Sequence, residues 1–279
     1  MTDIKKIMKK GADIFYRTMI CAAVLTVVYF IMLLTVFDTF HVPSRSMTPT
    51  IKPGDRGIIN KLKLGGRIFD IYAAAKGNDY NIKRLPGYGK LEKGDIVVFN
   101  GTFRKHSDSI EMNLSRYYCK RAVAVAGDTL AIRDGFYKIK GYDGIPGIEQ
   151  EQRNLRSYMT GLLKHKPDTA GMPGWFNTIP YDSIAQWNLM EFGPMIIPGR
   201  NTTVKLDRLN FLLYRKYIAW ETKKRVVWCD GKTFIGNREA ATYTFTENYF
   251  FAAGDHVIDS QDSRYWGLVP EKFIVGVKL

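Results

Sequence analysis

Residues 19–37, MICAAVLTVVYFIMLLTVF, form a run of 19 residues without one charged side chain. As an α-helix that run is about 28 Å long, close to the thickness of the hydrocarbon layer of a bilayer. It is apolar on every side and has no polar stripe at the helical period, which disfavours a helix packed by one face onto a soluble domain. The run predicts a membrane anchor. Lys5, Lys6, Lys9, Lys10 and Arg17 precede it. Positive flanks are retained in the cytoplasm, so residues 1–18 are expected inside and the body beyond residue 37 on the outer face, in the cytoplasmic (inner) membrane of a cell. A cleavable signal sequence is the competing reading. It calls for a shorter apolar core and small residues at its end. The residues that follow, Asp38-Thr39-Phe40-His41-Val42-Pro43, lack such a site. An uncleaved, single-pass anchor is therefore expected. No second run of that length follows, and the rest of the 279-residue chain reads as one exported body.

Hydrophobic residues make up 46% of the chain and aromatics 13%, enough for a buried core. The formal net charge of +14 calls for a polyanionic neighbour, either a nucleic acid or an anionic membrane surface. The anchor favours lipid, and no nucleic-acid-binding motif is present. Cys21 lies in the apolar run; Cys119 and Cys229 lie in the body. In an oxidising compartment those two can pair, or they can remain two small buried side chains. No CxxC pair occurs and the four histidines are scattered, so no metal site is expected.

Short apolar or alternating runs dominate the body: Asp95–Phe99, Tyr117–Val125, residues 129–140 and Tyr243–Ala252. Val226–Cys229 and Lys232–Ile235 flank Asp230-Gly231, the signature of a tight hairpin. These signals predict a mainly β core. Residues 141–225 differ, with many prolines, Trp175 and Trp187, and possible short helices at Ser157–Lys166 and Arg208–Lys216. They read as a cap inserted into the core. The expected layout is a basic N-terminus (1–18), an anchor (19–37), the first part of the core (38–140), the inserted cap (141–225) and the last part of the core (226–279).

Four blocks carry the chemistry. They are Pro43-Ser44-Arg45-Ser46-Met47-Thr48-Pro49; Gly54-Asp55 to Gly65 with Lys93-Gly94-Asp95; Tyr118-Cys119-Lys120-Arg121 through Gly127-Asp128; and Gly254-Asp255 with Ser260-Gln261-Asp262-Ser263-Arg264. In this order, behind such an anchor, they resemble the type I signal peptidase (leader peptidase) family over residues 41–65, 91–130 and 244–279. The resemblance implies a signal-peptidase-like β core and a serine endopeptidase with a Ser/Lys dyad. Such an enzyme removes signal peptides from exported preproteins after small-x-small residues, through an acyl-enzyme and with no cofactor. By the same resemblance Ser46 is the nucleophile and Lys120 the general base. The oxyanion hole maps to the Ser46 N–H and the Ser44 hydroxyl. Ser260 orients the lysine, Asp262 and Arg264 support the site, and Val42 and Ile51 match pocket walls, to which Tyr118 and Cys119 are candidates to contribute. Without the resemblance, Ser46 reads as a turn serine, Lys120 as a solvated strand lysine, and each pocket residue equally well as plain core.

The chemistry is self-consistent. A serine hydroxyl attacks only when a base takes its proton. An exposed lysine, with a pKa of about 10.4, stays protonated, whereas burial among apolar groups favours the neutral amine. The context YYC-K-RAVAVA suits a buried lysine, with Arg121 facing the other way. Three positions depart from the family's pattern: Arg45 where a small residue or glycine is usual, Ala126 in place of proline, and His256-Val257 in place of Asn-Arg. A histidine-dependent hydrolase is a rival reading, although no GxSxG elbow exists. An inactive tether that binds exported chains is another. Self-cleaving repressors of related fold share the dyad but carry a DNA-binding segment where this chain has its anchor. The Ser/Lys reading predicts that replacing all four histidines leaves cleavage of a precursor largely intact, as a gel-shift assay of the processed product would show.

Overall fold

The computed structural model describes residues 2–76, 80–103, 108–165 and 174–279, apart from the side chains of residues 2–7, 34 and 165. The side chains of Lys5 and Lys6, and the predicted helix end at Lys166, lie outside the described set. Helix α1 spans Thr2–Thr35. It begins well before the charge-free run and stops short of its end. Met8–Leu33 is long and apolar enough to cross a membrane, and its most apolar window is not buried in the protein at all. Thr18, Thr26 and Thr35 return their hydroxyls to the carbonyls of Ile14, Ala22 and Ile31 at 2.7–2.9 Å, so none presents an unpaired hydroxyl to an apolar surrounding. The end of the helix is tied to the body through Lys61. Its amine donates to the Leu33 carbonyl at 2.7 Å and pairs with Asp38 at 2.9 Å, and its backbone N–H donates to the Val36 carbonyl. A cation at a helix C-terminus meets the unsatisfied carbonyls there.

Phe37, expected as the last anchor residue, opens strand β1 (Phe37–His41), which pairs antiparallel with β2 (Arg56–Asn60). A short ribbon, β3 (Arg67–Ile68) with β4 (Lys83–Arg84), brackets helix α2 (Ile71–Lys76). The chain continues through β5 (Ile96–Gly101), β6 (Asn113–Ala124), β7 (Thr129–Arg133), β8 (Phe136–Ile139) and α3 (Glu149–His165). Then come β9 (Phe192–Ile196), β10 (Thr203–Lys205), α4 (Arg208–Thr222), β11 (Val226–Cys229), β12 (Lys232–Ile235), β13 (Arg238–Glu239), β14 (Thr242–Thr244) and β15 (Tyr249–Ala253). Helix α5 (Ser263–Trp266), β16 (Val269–Pro270) and β17 (Ile274–Lys278) complete the order. The main sheet has seven strands in the order β1-β2-β17-β5-β6-β15-β16, and a second has the order β8-β7-β9. The expected mainly β core is present. Phe192 of β9 sits edge-on to Phe251 of β15 and joins the two sheets, while Phe99 and Phe250 pack edge-on within the main sheet.

Three Gly-Asp pairs of the sequence are one device used three times. Gly54, Gly94 and Gly127 have φ of +93°, +94° and +95°, a region that a side chain disfavours. In each case the following aspartate takes back a backbone N–H three residues upstream: Lys52 to Asp55, Glu92 to Asp95 and Val125 to Asp128. Each aspartate N–H also donates to that same upstream residue's carbonyl. These are type II turns locked by a side chain. The Asp230-Gly231 hairpin forms as predicted, with φ of +48° and +78° at its two turn residues.

Much of the described part of residues 141–225 is packed into the core. Strand β9 joins the β7–β8 sheet, and β10 pairs with β14. Helix α4, longer than the expected 208–216, buries Phe211, Leu213, Tyr214, Tyr217 and Ile218; apart from Phe211 these belong to the main hydrophobic cluster. Leu155 and Met159 of α3 pack instead with Phe176, Leu189, Met190 and Val257 in a separate small cluster. The run Tyr243–Ala252, read as one strand, is two, β14 and β15. Cys119 and Cys229 are both free, and Cys229 is exposed because it sits beside the hairpin turn.

Candidate active site

Strand β1 leads into a compact turn at residues 44–51. Met47 is fully buried and forms a cluster with Val42 and Ile51, which pins the turn to the sheet. The Thr48 N–H donates to the Arg45 carbonyl and the Ile51 N–H to the Met47 carbonyl, both at 2.9 Å. With Met47 held inside, its neighbour Ser46 is half-buried and its hydroxyl meets strand β6. The Lys120 Nζ donates to the Ser46 Oγ at 2.5 Å. The Ser44 Oγ lies 3.2 Å from the same oxygen. The Ser46 N–H donates to no group among the described residues, while its carbonyl accepts from the His256 N–H at 3.1 Å.

Lys120 is 3% exposed. It sits on the twelve-residue strand β6, opposite Val97 of β5. Burial lowers the pKa of its amine; the carboxylate of Asp262 opposes that shift, and the guanidinium of Arg264 reinforces it. Asp262 and Arg264 are fully buried and joined by two bonds of 2.8 Å, Nε to Oδ1 and Nη2 to Oδ2. Asp262 also accepts from the Gly254 N–H at 3.0 Å. Burial works against its charge, but Arg264 wins and holds the carboxyl below the usual range. The carboxylate facing the lysine is therefore already neutralised by another cation.

Ser260 is buried beside this group, yet its hydroxyl makes no hydrogen bond. The expected bond to the Lys120 amine is not formed; that amine reaches the Ser46 Oγ instead. Ser260 packs on Gly254, where a Cβ would overlap both the Ser260 Oγ and the Ser46 carbonyl oxygen. Gly254 is thus required by close approach rather than by its φ.

Val42, Tyr118 and Cys119 line a cleft of about 360 Å³ in front of Ser46, together with Phe40, Val98 and Tyr117. Ile51 does not line it; it lies behind Met47. Burial pushes the Cys119 thiol up to about 12, so it is no nucleophile at neutral pH. Among the described residues no histidine ring bonds the Ser46 hydroxyl; His256 approaches through its backbone alone.

Sequence reasoning missed the partner of Arg121. That guanidinium grips the buried Asp255 with two bonds of 2.7 Å and donates to the Gly94 carbonyl at 2.8 Å. It clamps the strand that carries Lys120 to the loop that supports Ser46. The Gly254-Asp255 block was the available signal, but its partner lies 134 residues away in the chain.

The model of the signal peptidase, peptidase S26, family matches residues 15–184 and 190–279. The chain is 25% identical over 252 residues to "Signal peptidase I" of Buchnera aphidicola subsp. Baizongia pistaciae, covering 90% of this chain and 71% of that protein. It is 24% identical to the Buchnera aphidicola subsp. Schizaphis graminum protein of the same name, covering 98% of this chain and 76% of that one. It is 26% identical to that of Helicobacter pylori (strain J99), covering 91% and 75%. With the β core and the four blocks in their order, this establishes that the chain belongs to the signal peptidase family, peptidase S26.

Proposed function

We propose that the protein is a membrane-anchored serine endopeptidase that removes signal peptides from exported preproteins, with Ser46 as nucleophile and Lys120 as general base. The observation that carries this reading is the 2.5 Å hydrogen bond between a buried amine and the hydroxyl of a half-buried serine beside a cleft. In the reactive state the Lys120 amine is neutral and accepts the Ser46 proton as the Oγ attacks the scissile carbonyl. The tetrahedral oxyanion takes hydrogen bonds from the Ser46 N–H and, once it turns from the Ser46 Oγ, from the Ser44 hydroxyl. Donors of this kind contribute about 3 kcal/mol each. The lysine ammonium then gives its proton to the leaving amine. The neutral amine next activates a water that hydrolyses the ester. These steps use no metal or organic cofactor.

Asp262 and Arg264 hold the base from behind, and Ser260 fills the space between Gly254 and the turn. Val42, Tyr118 and Cys119 form shallow walls that admit small side chains, which fits cleavage after small-x-small residues; Ile51 acts through Met47. The cleft shares Phe40, His41, Val98 and Tyr117 with a hollow that runs to Asp38 and Lys61 at the end of α1. A precursor held in the bilayer by its own apolar segment would enter from that side. The basic N-terminus stays in the cytoplasm, the body faces outward, and the excess positive charge favours an anionic lipid surface over nucleic acid. Residues 38–140 and 226–279 make the core of the site, with 141–225 buttressing it.

Two predictions follow from this chemistry. Ser46→Ala and Lys120→Met should each lower turnover of a model preprotein by about a thousandfold or more, as loss of a nucleophile or base does. Circular dichroism and thermal unfolding should remain those of a folded protein. The second concerns pH. Activity should rise as the Lys120 ammonium loses its proton, on a limb below the ordinary lysine value of about 10.4. The Asp262 carboxylate favours the ammonium, so Asp262→Asn should lower the amine's pKa and move the limb of kcat/KM to lower pH. It should also lower the unfolding temperature, because Arg264 is left buried without its counter-charge.

A further inference from the structure

We infer that Arg45 reads the charge of the substrate just past the scissile bond and favours a carboxylate there; this rests on the proposed peptidase reading. Arg45 stands between the two expected oxyanion donors, Ser44 and Ser46. Its backbone is fixed by the turn, where its carbonyl accepts from the Thr48 N–H at 2.9 Å. Its side chain is exposed, lines the cleft, and makes no hydrogen bond or ion pair among the described residues. The other cation of the cleft, Lys120, is buried and committed to Ser46. Arginine remains charged at every working pH and presents a planar fork suited to a carboxylate.

The side of the scissile bond follows from the composition of the cleft. Phe40, Val42, Val98, Tyr117, Tyr118 and Cys119 supply an apolar trough, which the small residues before the cut would occupy. Besides His41 at the end of β1, the polar lining comes from the turn, as Ser44 and Arg45, and from the loop after β15, as Asp259 and Gln261. Once a carbonyl oxygen sits between the Ser46 N–H and the Ser44 hydroxyl, the first two residues after the cut extend about 7 Å beyond it. That distance is within the span of an arginine side chain rooted between the donors. The Asp259 side chain is 70% exposed, 4.0 Å from the His256 ring, and forms no ion pair with Arg45 among the described residues.

The test uses the full-length protein in detergent and a set of precursors that differ only at the first two positions after the cut, carrying Glu, Gln or Lys. Wild type should cut the Glu substrates about three- to fivefold faster in kcat/KM than the Lys substrates, a preference of the size of an exposed ion pair that is lost at high salt. Arg45→Lys should retain the preference, Arg45→Ala should abolish it and Arg45→Glu should invert it. A role limited to holding the turn would change all substrates equally and overturn the inference. So would a wild-type enzyme that cuts all three alike, or a preference that appears only for charges placed before the cut. A wild-type protein that cuts no precursor at all would instead defeat the peptidase reading, and the inference with it.

Discussion

Everything in the site depends on one lysine losing its water. Strand β6 carries Lys120 between β5 and the loop after β15, where 3% of the residue is left exposed. Burial alone favours the neutral amine, but a bare carboxylate at Asp262 would restore the ammonium. The Asp262–Arg264 pair resolves this conflict. Removing one partner of a buried pair typically costs about 3–5 kcal/mol, because the other charge is left unpaired. Here the completed pair also sets the field at the Lys120 amine: the carboxylate is largely spent on Arg264, and desolvation of the amine prevails.

The serine comes to the amine through packing. Met47 is the buried plug, and Ser46 is its neighbour on the turn. Gly254 lets the Ser46 carbonyl and Ser260 approach more closely than any side chain would allow. The Arg121–Asp255 clamp joins both halves, since Arg121 follows Lys120 on its strand and Asp255 follows the glycine. Adjacent residues of β6 therefore do different work: the inward lysine meets the serine, and the arginine beside it ties the strand down.

Much of this was legible in the sequence, for stated reasons. Alternation around Lys120 indicated a strand, and an Asp-Gly step indicated a hairpin whose turn needs positive φ. The order of four blocks behind an apolar run indicated the family. Other features left no local trace. Phe37 looks like anchor because a continuous apolar run carries no period to mark where helix gives way to strand. Helix α4 reads from the sequence as a short helix of the cap, 208–216; its apolar residues do recur at three- and four-residue spacing, but only the tertiary contacts reveal that this face joins the main core. The Arg121–Asp255 pair spans too many residues for any spacing rule. The silent hydroxyl of Ser260 shows that a residue can occupy an expected place without making the expected bond.

The central claim is that the Lys120 amine is a neutral base at working pH because of its burial. The most direct measurement is an NMR titration of full-length protein carrying 13C-labelled lysine, with the Lys120 signal assigned by its loss in Lys120→Met. The account predicts that this one signal titrates below the ordinary lysine value of about 10.4, apart from the solvated lysines. If Lys120 titrates with those lysines, the amine is protonated when the serine must be activated, and the Ser46–Lys120 mechanism is contradicted.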